Sequence, residues 1–140
     1  MPNPPFREMD SPMTAKSKNI LNWALSVFTA LIFVAAGLGK LGDAHTVANF
    51  IAWGYSDSFR VFIGVCELLG AISLVIPPFT TLGASGLSVV MLGAVFTHLA
   101  HDQAPFAPIP LVLLVIVLHL AYARRSDIGM LYEHAGASHG

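Results

Sequence analysis

A single carboxyl group, that of Glu67, interrupts the apolar stretch from Val61 to Pro77. A charged side chain near the centre of a lipid-spanning helix costs about 2.5 to 3.5 kcal/mol on insertion scales, and such residues usually face the bundle interior and serve a function. In that setting a carboxyl group can move a proton or pair with a basic side chain. Glu67 is therefore the first candidate for a functional residue.

Basic side chains that can compensate this acid stand at the ends of neighbouring apolar segments. Lys40 closes the first segment, and His98 and His101 end the third, on one helical stripe. We predict that these residues form a polar intramembrane site in the outer leaflet, in which Glu67 pairs with Lys40 or with His98 or stays neutral. The alternative for Lys40 is a snorkelling residue at the interface, and for His98 a residue facing the headgroups.

A second group, His119 and Tyr122, lies near the end of the fourth apolar segment. We keep this pair as a secondary candidate, in which His119 hydrogen-bonds a neighbouring helix or lines a small cavity. A haem held between His98 and His119 is disfavoured because the two residues lie at opposite depths. Two histidines and one carboxylate are also a weak donor set for a metal ion, so we predict no metal site.

These residues need membrane-spanning helices to position them, and the composition favours that class of protein. The chain has 140 residues, of which 55% are hydrophobic and 11% charged, whereas a soluble domain carries about 25% charged residues. We predict an all-α fold with one transmembrane domain over residues 19–125. Its four-helix bundle comprises helices at about 20–41, 59–76, 81–99 and 107–124.

The segments outside these helices are predicted to be tails and short connections. Residues 1–18, which contain four prolines, are expected to form a disordered N-terminal tail, and residues 126–140 a polar C-terminal tail. A signal peptide is disfavoured, because the first apolar run is longer than a signal core of roughly 7 to 15 residues. In the connection 42–58, Val47 and Phe50 have helical spacing, which fits a short interfacial helix or a plain loop with aromatic residues at the headgroups.

The distribution of charge sets the predicted orientation. Basic residues are concentrated on the side of the two termini, at Arg7, Lys16, Lys18, Arg124 and Arg125. Lys40 and Arg60 lie on the other side, so the positive-inside rule predicts cytoplasmic termini in a plasma (inner) membrane protein. The net charge of −1 gives no indication of nucleic-acid binding. The single cysteine, Cys66, cannot form an intrachain disulfide and is expected to be an inert packing residue.

Three motifs together carry a resemblance to a known family. They are A-A-G-L-G-K-L at 35–41, G-V-C-E-L-L-G-A at 64–71 and M-L-G-A-V-F-T-H-L at 91–99. Their order and spacing resemble those of the DoxX-like family of small four-helix integral membrane proteins. The resemblance implies a four-helix bundle in which Lys40, Glu67 and His98 match the polar motif positions. It also implies a link to thiosulfate:quinone oxidoreduction, to membrane complexes for redox stress, or to the assembly of membrane receptors.

Three functional hypotheses follow from the residues and the resemblance. In the first, the chain is a membrane subunit that binds quinone or a redox partner; Lys40 and His98 donate hydrogen bonds to a carbonyl oxygen, and Glu67 moves a proton. In the second, it is a small proton-coupled carrier that forms a homodimer to enclose a pathway. In the third, it is a non-enzymatic membrane assembly factor whose first and fourth helices contact a client protein. The lipid bilayer is a partner in all three.

Overall fold

The fold is built from helices. The computed structural model describes residues 12–130, 132 and 133, and within them it contains five α-helices, three short 3-10 segments and no strand. The α-helices are α1 (Pro12–Gly42), α2 (Ala44–Ala52), α3 (Asp57–Val75), α4 (Thr80–Ala100) and α5 (Pro108–Ala123). The 3-10 segments are Pro77–Phe79, Ala104–Phe106 and Arg125–Ile128.

Four helical regions are long and apolar enough to cross a membrane. They are Ala15–Gly42, Asp57–Val75, Pro77–Ala100 and Ala104–Ala123. This finding confirms the predicted all-α bundle of four transmembrane helices, and α3, α4 and α5 begin and end within two residues of the predicted bounds. Because successive spans alternate in direction, both ends of the described chain lie on one side. That this side is cytoplasmic stays a prediction.

Helix α1 begins earlier than the sequence pattern predicts. It starts at Pro12 rather than at position 20, so residues 12–18, predicted as part of a disordered tail, are helical. Proline suits the first helical position, because its φ is already helical and its missing N–H has no partner there in any case. The remainder of the predicted N-terminal tail, residues 1–11, lies outside the described residues. Within the predicted C-terminal tail, 126–140, residues 126–128 belong to the 3-10 segment Arg125–Ile128, and residues 129, 130, 132 and 133 are helical. Residues 131 and 134–140 lie outside the described residues.

The connection between the first two spans contains a helix, α2, rather than a plain loop. Asp43 is its N-cap: the carboxylate accepts hydrogen bonds from the backbone N–H of Thr46 at 2.8 Å and from its hydroxyl at 2.9 Å. The helix buries Phe50. Gly54 then turns the chain into α3 with a φ of +77°, a conformation that favours glycine. We call this end of the bundle the α2 end, and the opposite end the Pro77 end.

A tight reversal joins α3 to α4 at the Pro77 end. Pro77 and Pro78 lack the N–H groups that would continue the hydrogen bonds of α3. The hydroxyl of Thr80 lies 3.2 Å from the carbonyl oxygens of both Leu74 and Ile76, and its one hydrogen is shared between these two groups at the end of the helix. The two spans therefore form an antiparallel hairpin with almost no loop.

The bundle closes into a ring of four spans. Helix α1 packs on α3, α3 on α4 and α4 on α5, and α1 also contacts α5. Where α1 packs on α3, a Cβ added to Gly37 would lie 2.9 Å from the carbonyl oxygen of Gly64. The interior is filled by side chains such as Phe33, Leu74 and Leu87, which are fully buried. Small residues at the helix contact are typical of membrane bundles, where packing drives association.

Candidate functional site

The buried carboxylate of Glu67 pairs with Lys40 across the contact of α1 and α3. The Nζ atom of Lys40 lies 2.8 Å from Oε2 and donates a hydrogen bond to Oε1 at 3.0 Å. The side chain of Glu67 is 1% exposed and that of Lys40 is 18% exposed. Of the two partners considered for Glu67, Lys40 makes the contact, and its side chain points into the bundle instead of snorkelling to the interface.

The neighbouring turns of α3 hold Lys40 in place. Gly64 lies one turn before Glu67, and a Cβ added there would lie 3.1 Å from the Cβ of Lys40. One turn earlier, the buried Arg60 donates a hydrogen bond to the backbone carbonyl of Lys40 and pairs with Asp57. Helix α3 therefore leaves room for the lysine stem and caps a carbonyl group at the end of α1, which fixes the ammonium group opposite the carboxylate.

The ion pair keeps hydrogen-bonding capacity for a ligand. Both carboxylate oxygens of Glu67 lie within 3.0 Å of Nζ of Lys40, so one ammonium group serves both of them. An ammonium group carries three donors, and each carboxylate oxygen is an acceptor. The pair can therefore donate to a carbonyl oxygen and accept from a hydroxyl group at one place.

A cavity of about 970 Å³ lies between α3 and α4 and reaches this ion pair. Most of its lining is apolar, and further polar groups come from Tyr55, Thr97 and His98. Large apolar side chains that line it are more than half exposed, among them Phe62, Leu69, Val89 and Phe96. These side chains belong to candidate membrane spans, so the cavity opens sideways toward lipid.

Close packing and a hydrogen bond bound the cavity at its two ends. Toward the Pro77 end, a Cβ added to Gly83 would lie 2.4 Å from the Cβ of Ser73, so α3 and α4 touch there. Toward the α2 end, the hydroxyl groups of Tyr55 and Thr97 lie 2.9 Å apart and bridge the turn before α3 to α4. The cavity is thus a lateral pocket within the bundle.

His98 lines the cavity and bonds to Gln103 rather than to Glu67. Its Nδ1 atom lies 3.1 Å from Oε1 of Gln103, and its ring packs edge-on against Trp53 with the centroids 5.6 Å apart. Because Nδ1 is engaged, Nε2 is the ring nitrogen left to a ligand. The structure therefore places His98 at the cavity wall, separate from the ion pair.

His101 ties the turn after α2 to the end of α4. Its Nδ1 atom lies 2.9 Å from the carbonyl oxygen of Thr97, and its Nε2 atom lies 3.2 Å from that of Trp53. Both partners are carbonyl acceptors, so a ring with one N–H donates to one of them at a time. The ring also packs against Tyr55. His101 thus holds the aromatic residues over the cavity and contacts neither member of the ion pair.

The secondary candidates lie at the other end of the bundle. The Nε2 atom of His119 lies 3.2 Å from Oδ1 of Asn22 and links α5 to α1, one of the two roles considered for it. Tyr122 is exposed, and the guanidinium of Arg125 stacks 4.0 Å above its ring. Neither residue lines the cavity. Within residues 12–130, 132 and 133, no three His, Cys, Asp or Glu side chains are grouped to hold a metal ion.

Two hydroxyl groups of the site, those of Tyr55 and Thr97, are missed by reasoning from the sequence. The available signals are local: Tyr55 belongs to the aromatic group of the connection, and Thr97 directly precedes His98. Cys66, expected to be a packing residue, lines the cavity beside Glu67. These three residues are neighbours of the predicted site and add polarity to its wall.

The chain matches a known protein family over most of its length. The sequence profile of the DoxX-like family matches residues 24–120, a range that contains Lys40, Glu67 and His98. A search of curated proteins and a search of solved structures gave no match. The family match covers more than half of the chain, and the chain has four helices suited to spanning a membrane. This chain belongs to the DoxX-like family.

Proposed function

We propose that the chain is a quinone-binding membrane protein, acting itself or as the membrane subunit of a redox partner. The observation that supports this best is the position of the Lys40–Glu67 pair, which lines a mostly apolar cavity that opens toward lipid. Ligand pockets are commonly apolar, have volumes of about 300 to 1,000 Å³ and contain a few polar groups that orient the ligand. Quinones reside in the bilayer and present a flat apolar ring with polar oxygens, which suits this combination.

The polar groups of the cavity suit both redox states of such a ligand. Lys40 donates a hydrogen bond to a quinone carbonyl oxygen. Because Nδ1–H of His98 donates to Oε1 of Gln103, Nε2 of His98 is an acceptor and receives a hydrogen bond from a hydroxyl group of the reduced form. A second lone pair on a carboxylate oxygen of Glu67 accepts a hydrogen bond from a hydroxyl group of the reduced form. Reduction of one quinone to its quinol takes up two electrons and two protons. In this proposal a partner protein supplies the electrons, and Glu67 takes up a proton from water before each of two transfers and returns to the carboxylate after each.

The shape of the cavity favours this function over a proton-coupled carrier. A Cβ added to Gly70 would lie 2.5 Å from Leu87, and α3 and α4 also touch at Gly83. The cavity beside Glu67 therefore closes where Gly83 meets Ser73, and it does not open at the Pro77 end as a transport pathway would require. One chain supplies all the residues that line the cavity, so the site requires no homodimer. We further propose that the protein lies in the plasma (inner) membrane with cytoplasmic termini, on the evidence of its charge distribution.

Tryptophan fluorescence offers a direct test of quinone binding. Trp53 lines the cavity, whereas Trp23 is exposed on α1. In a Trp23→Phe background, titration with decylubiquinone should quench Trp53 saturably. Hydrogen bonds to charged groups contribute about 1.5 to 3 kcal/mol, so Lys40→Met and Glu67→Gln should each weaken binding by about tenfold or more.

Glu133 provides the matched control, because it is exposed and lies outside the membrane spans. Glu133→Gln makes the same chemical change as Glu67→Gln and should leave the dissociation constant unchanged. Helix content and gel-filtration profile establish that each variant is folded. If folded Glu67→Gln and Lys40→Met proteins bind decylubiquinone as tightly as Glu133→Gln, the proposed function is wrong.

A further inference from the structure

The cavity is elongated along the bundle. Its lining residues on α4 run from Leu82 to His98, a rise of about 24 Å at 1.5 Å per residue. On α3 they run from Phe59 to Ser73. A pocket of this shape is longer than the ring of a quinone and leaves room for a second part of the ligand.

The two halves of the cavity differ in polarity. The half near the α2 end contains the hydroxyl groups of Tyr55 and Thr97 and the ring of His98. The half near the Pro77 end is apolar except for Ser73, whose hydroxyl already donates to the carbonyl oxygen of Leu69 at 2.8 Å. A ligand with a polar head and a hydrocarbon chain therefore fits with its head toward the α2 end and its chain toward the Pro77 end.

An exposed glycine, Gly86, lines the apolar half of the cavity and does not serve helix packing. A Cβ added to Gly86 would meet no atom within 4 Å, although Gly86 lines the cavity. Gly70 and Gly83, by contrast, lie where α3 and α4 touch, and a Cβ on either would come within 2.6 Å of a neighbouring side chain. Close helix packing accounts for these two glycines, whereas Gly86 widens the cavity.

We propose that the apolar half of the cavity, over Gly86, holds the hydrocarbon tail of the ligand, so that the site selects tailed quinones. This inference rests on the proposed function and names its substrate class. The occupant is a hydrocarbon chain attached to the head group, because the apolar half of the cavity, here called the groove, is continuous with the Lys40–Glu67 site. A tail in lipid gains little hydrophobic energy on entering the groove. The groove instead gives the tail room while the head reaches the ion pair, and Gly86 determines specificity sterically.

A leucine at position 86 tests this role. In the Trp23→Phe background, Gly86→Leu is compared with Ser85→Leu, which places the same side chain one residue away on an exposed face of α4 that does not line the cavity. Leucine is a better helix former than glycine, so both variants should fold. The ligands are decylubiquinone and the same benzoquinone without its decyl chain. For each ligand, the ratio of variant to parent dissociation constants cancels the difference in membrane partitioning.

Gly86→Leu should weaken binding of decylubiquinone by about tenfold, or about 1.4 kcal/mol, and change binding of the tailless ring by less than about twofold. Ser85→Leu should change neither. Equal weakening of both ligands would overturn the proposal, because Gly86 would then lie beneath the head. No effect on either ligand would place the tail elsewhere and overturn it as well.

A phospholipid chain is the other source of hydrocarbon for this groove. Native mass spectrometry that finds a phospholipid retained by the parent and lost from Gly86→Leu, with unchanged quinone binding, would assign the groove to bilayer lipid and overturn the inference. If Gly86→Leu has no effect on quinone binding, or if the groove holds a phospholipid, a loss of quinone binding in Glu67→Gln still supports the head-group site. A parent protein that binds neither quinone overturns the proposed function itself.

Discussion

Removal of Lys40 should destabilise the protein more than removal of Glu67, although the two side chains form one ion pair. Glu67 is 1% exposed, so without Lys40 its carboxylate has neither a counter-charge nor access to water. Lys40 stands in the last turn of α1, and its side chain is 18% exposed. Without Glu67, its flexible stem can turn the ammonium group toward the interface. The asymmetry follows from burial and from the position of each residue in its helix.

The magnitudes follow from the energetics of buried ion pairs. Removing one partner of a buried pair costs about 3 to 5 kcal/mol, whereas replacing both by apolar residues of similar size is often neutral. We expect Lys40→Met to lower the free energy of unfolding by about 3 to 5 kcal/mol. Glu67→Met should cost about 1 to 2 kcal/mol, the loss of a charged hydrogen bond with partial relaxation. The double variant should be more stable than Lys40→Met by at least about 2 kcal/mol.

The assay is reversible unfolding in mixed micelles, titrated with sodium dodecyl sulfate and followed by helix content. It measures the free energies of unfolding of the wild type, the two single variants and the double variant. The cycle reports the coupling between the two side chains independently of the cost of each substitution. Additive effects of the two substitutions, within about 0.5 kcal/mol, would refute the ion pair as a unit of stability. A larger cost for Glu67→Met than for Lys40→Met would refute the argument from burial.

Three further predictions concern the elements around the site. Gly37→Ala should lower the free energy of unfolding by about 1 to 3 kcal/mol through overpacking, because the new Cβ meets a backbone oxygen of α3 at 2.9 Å. Gly42→Ala, where the space is open, is the control in the same titration. Equal costs for the two variants would contradict the packing argument. His101→Phe removes a ring hydrogen bond of about 0.5 to 1.5 kcal/mol that ties the turn after α2 to α4. The amide of Tyr55 should therefore exchange hydrogen faster than in wild type, and unchanged exchange would show that the ring does not hold this turn. The hydrogen bonds that Asp43 accepts from the backbone N–H and then the hydroxyl of Thr46 lower the pKa of Asp43 below its ordinary value. The stabilisation of α2 by Asp43 is therefore complete above the unfolded pKa of about 3.9 and is lost as the pH falls through the folded pKa. Amide exchange in α2 should show this pH dependence, and Asp43→Asn should abolish it.

The helices and the direction of Glu67 follow closely from the sequence. Apolar runs of membrane-spanning length and the Pro77–Pro78 break locate the spans, because no soluble fold accommodates such runs at the surface. The face shared by Glu67 with Gly64 and Gly70 indicates its inward direction, and all three residues are buried. The contact with Lys40 was one of two predicted pairings, since spacing places both Lys40 and a histidine on the same side of the membrane.

The features that escape the sequence depend on the relative positions of helices. Which histidine faces which partner depends on the turn after α4, where Asp102 adopts a φ of +56° and brings Gln103 to His98. The cavity exists because α3 and α4 touch at Gly83 and leave space over Gly86, and both are glycines in one apolar helix. Sequence pattern does not distinguish a glycine that serves packing from one that lines a cavity.

Photoaffinity labelling tests most directly whether quinone binds beside the Lys40–Glu67 pair. The wild-type protein in lipid nanodiscs is irradiated with an azide-bearing quinone, with and without excess decylubiquinone, and the labelled peptides are identified by mass spectrometry. We predict label that excess quinone displaces, confined to residues 59–73 of α3 and 82–98 of α4, and lost in Glu67→Gln but retained in Glu133→Gln. Label on the outer faces of α1 and α5, or label in the cavity that persists in Glu67→Gln, would contradict the proposed site.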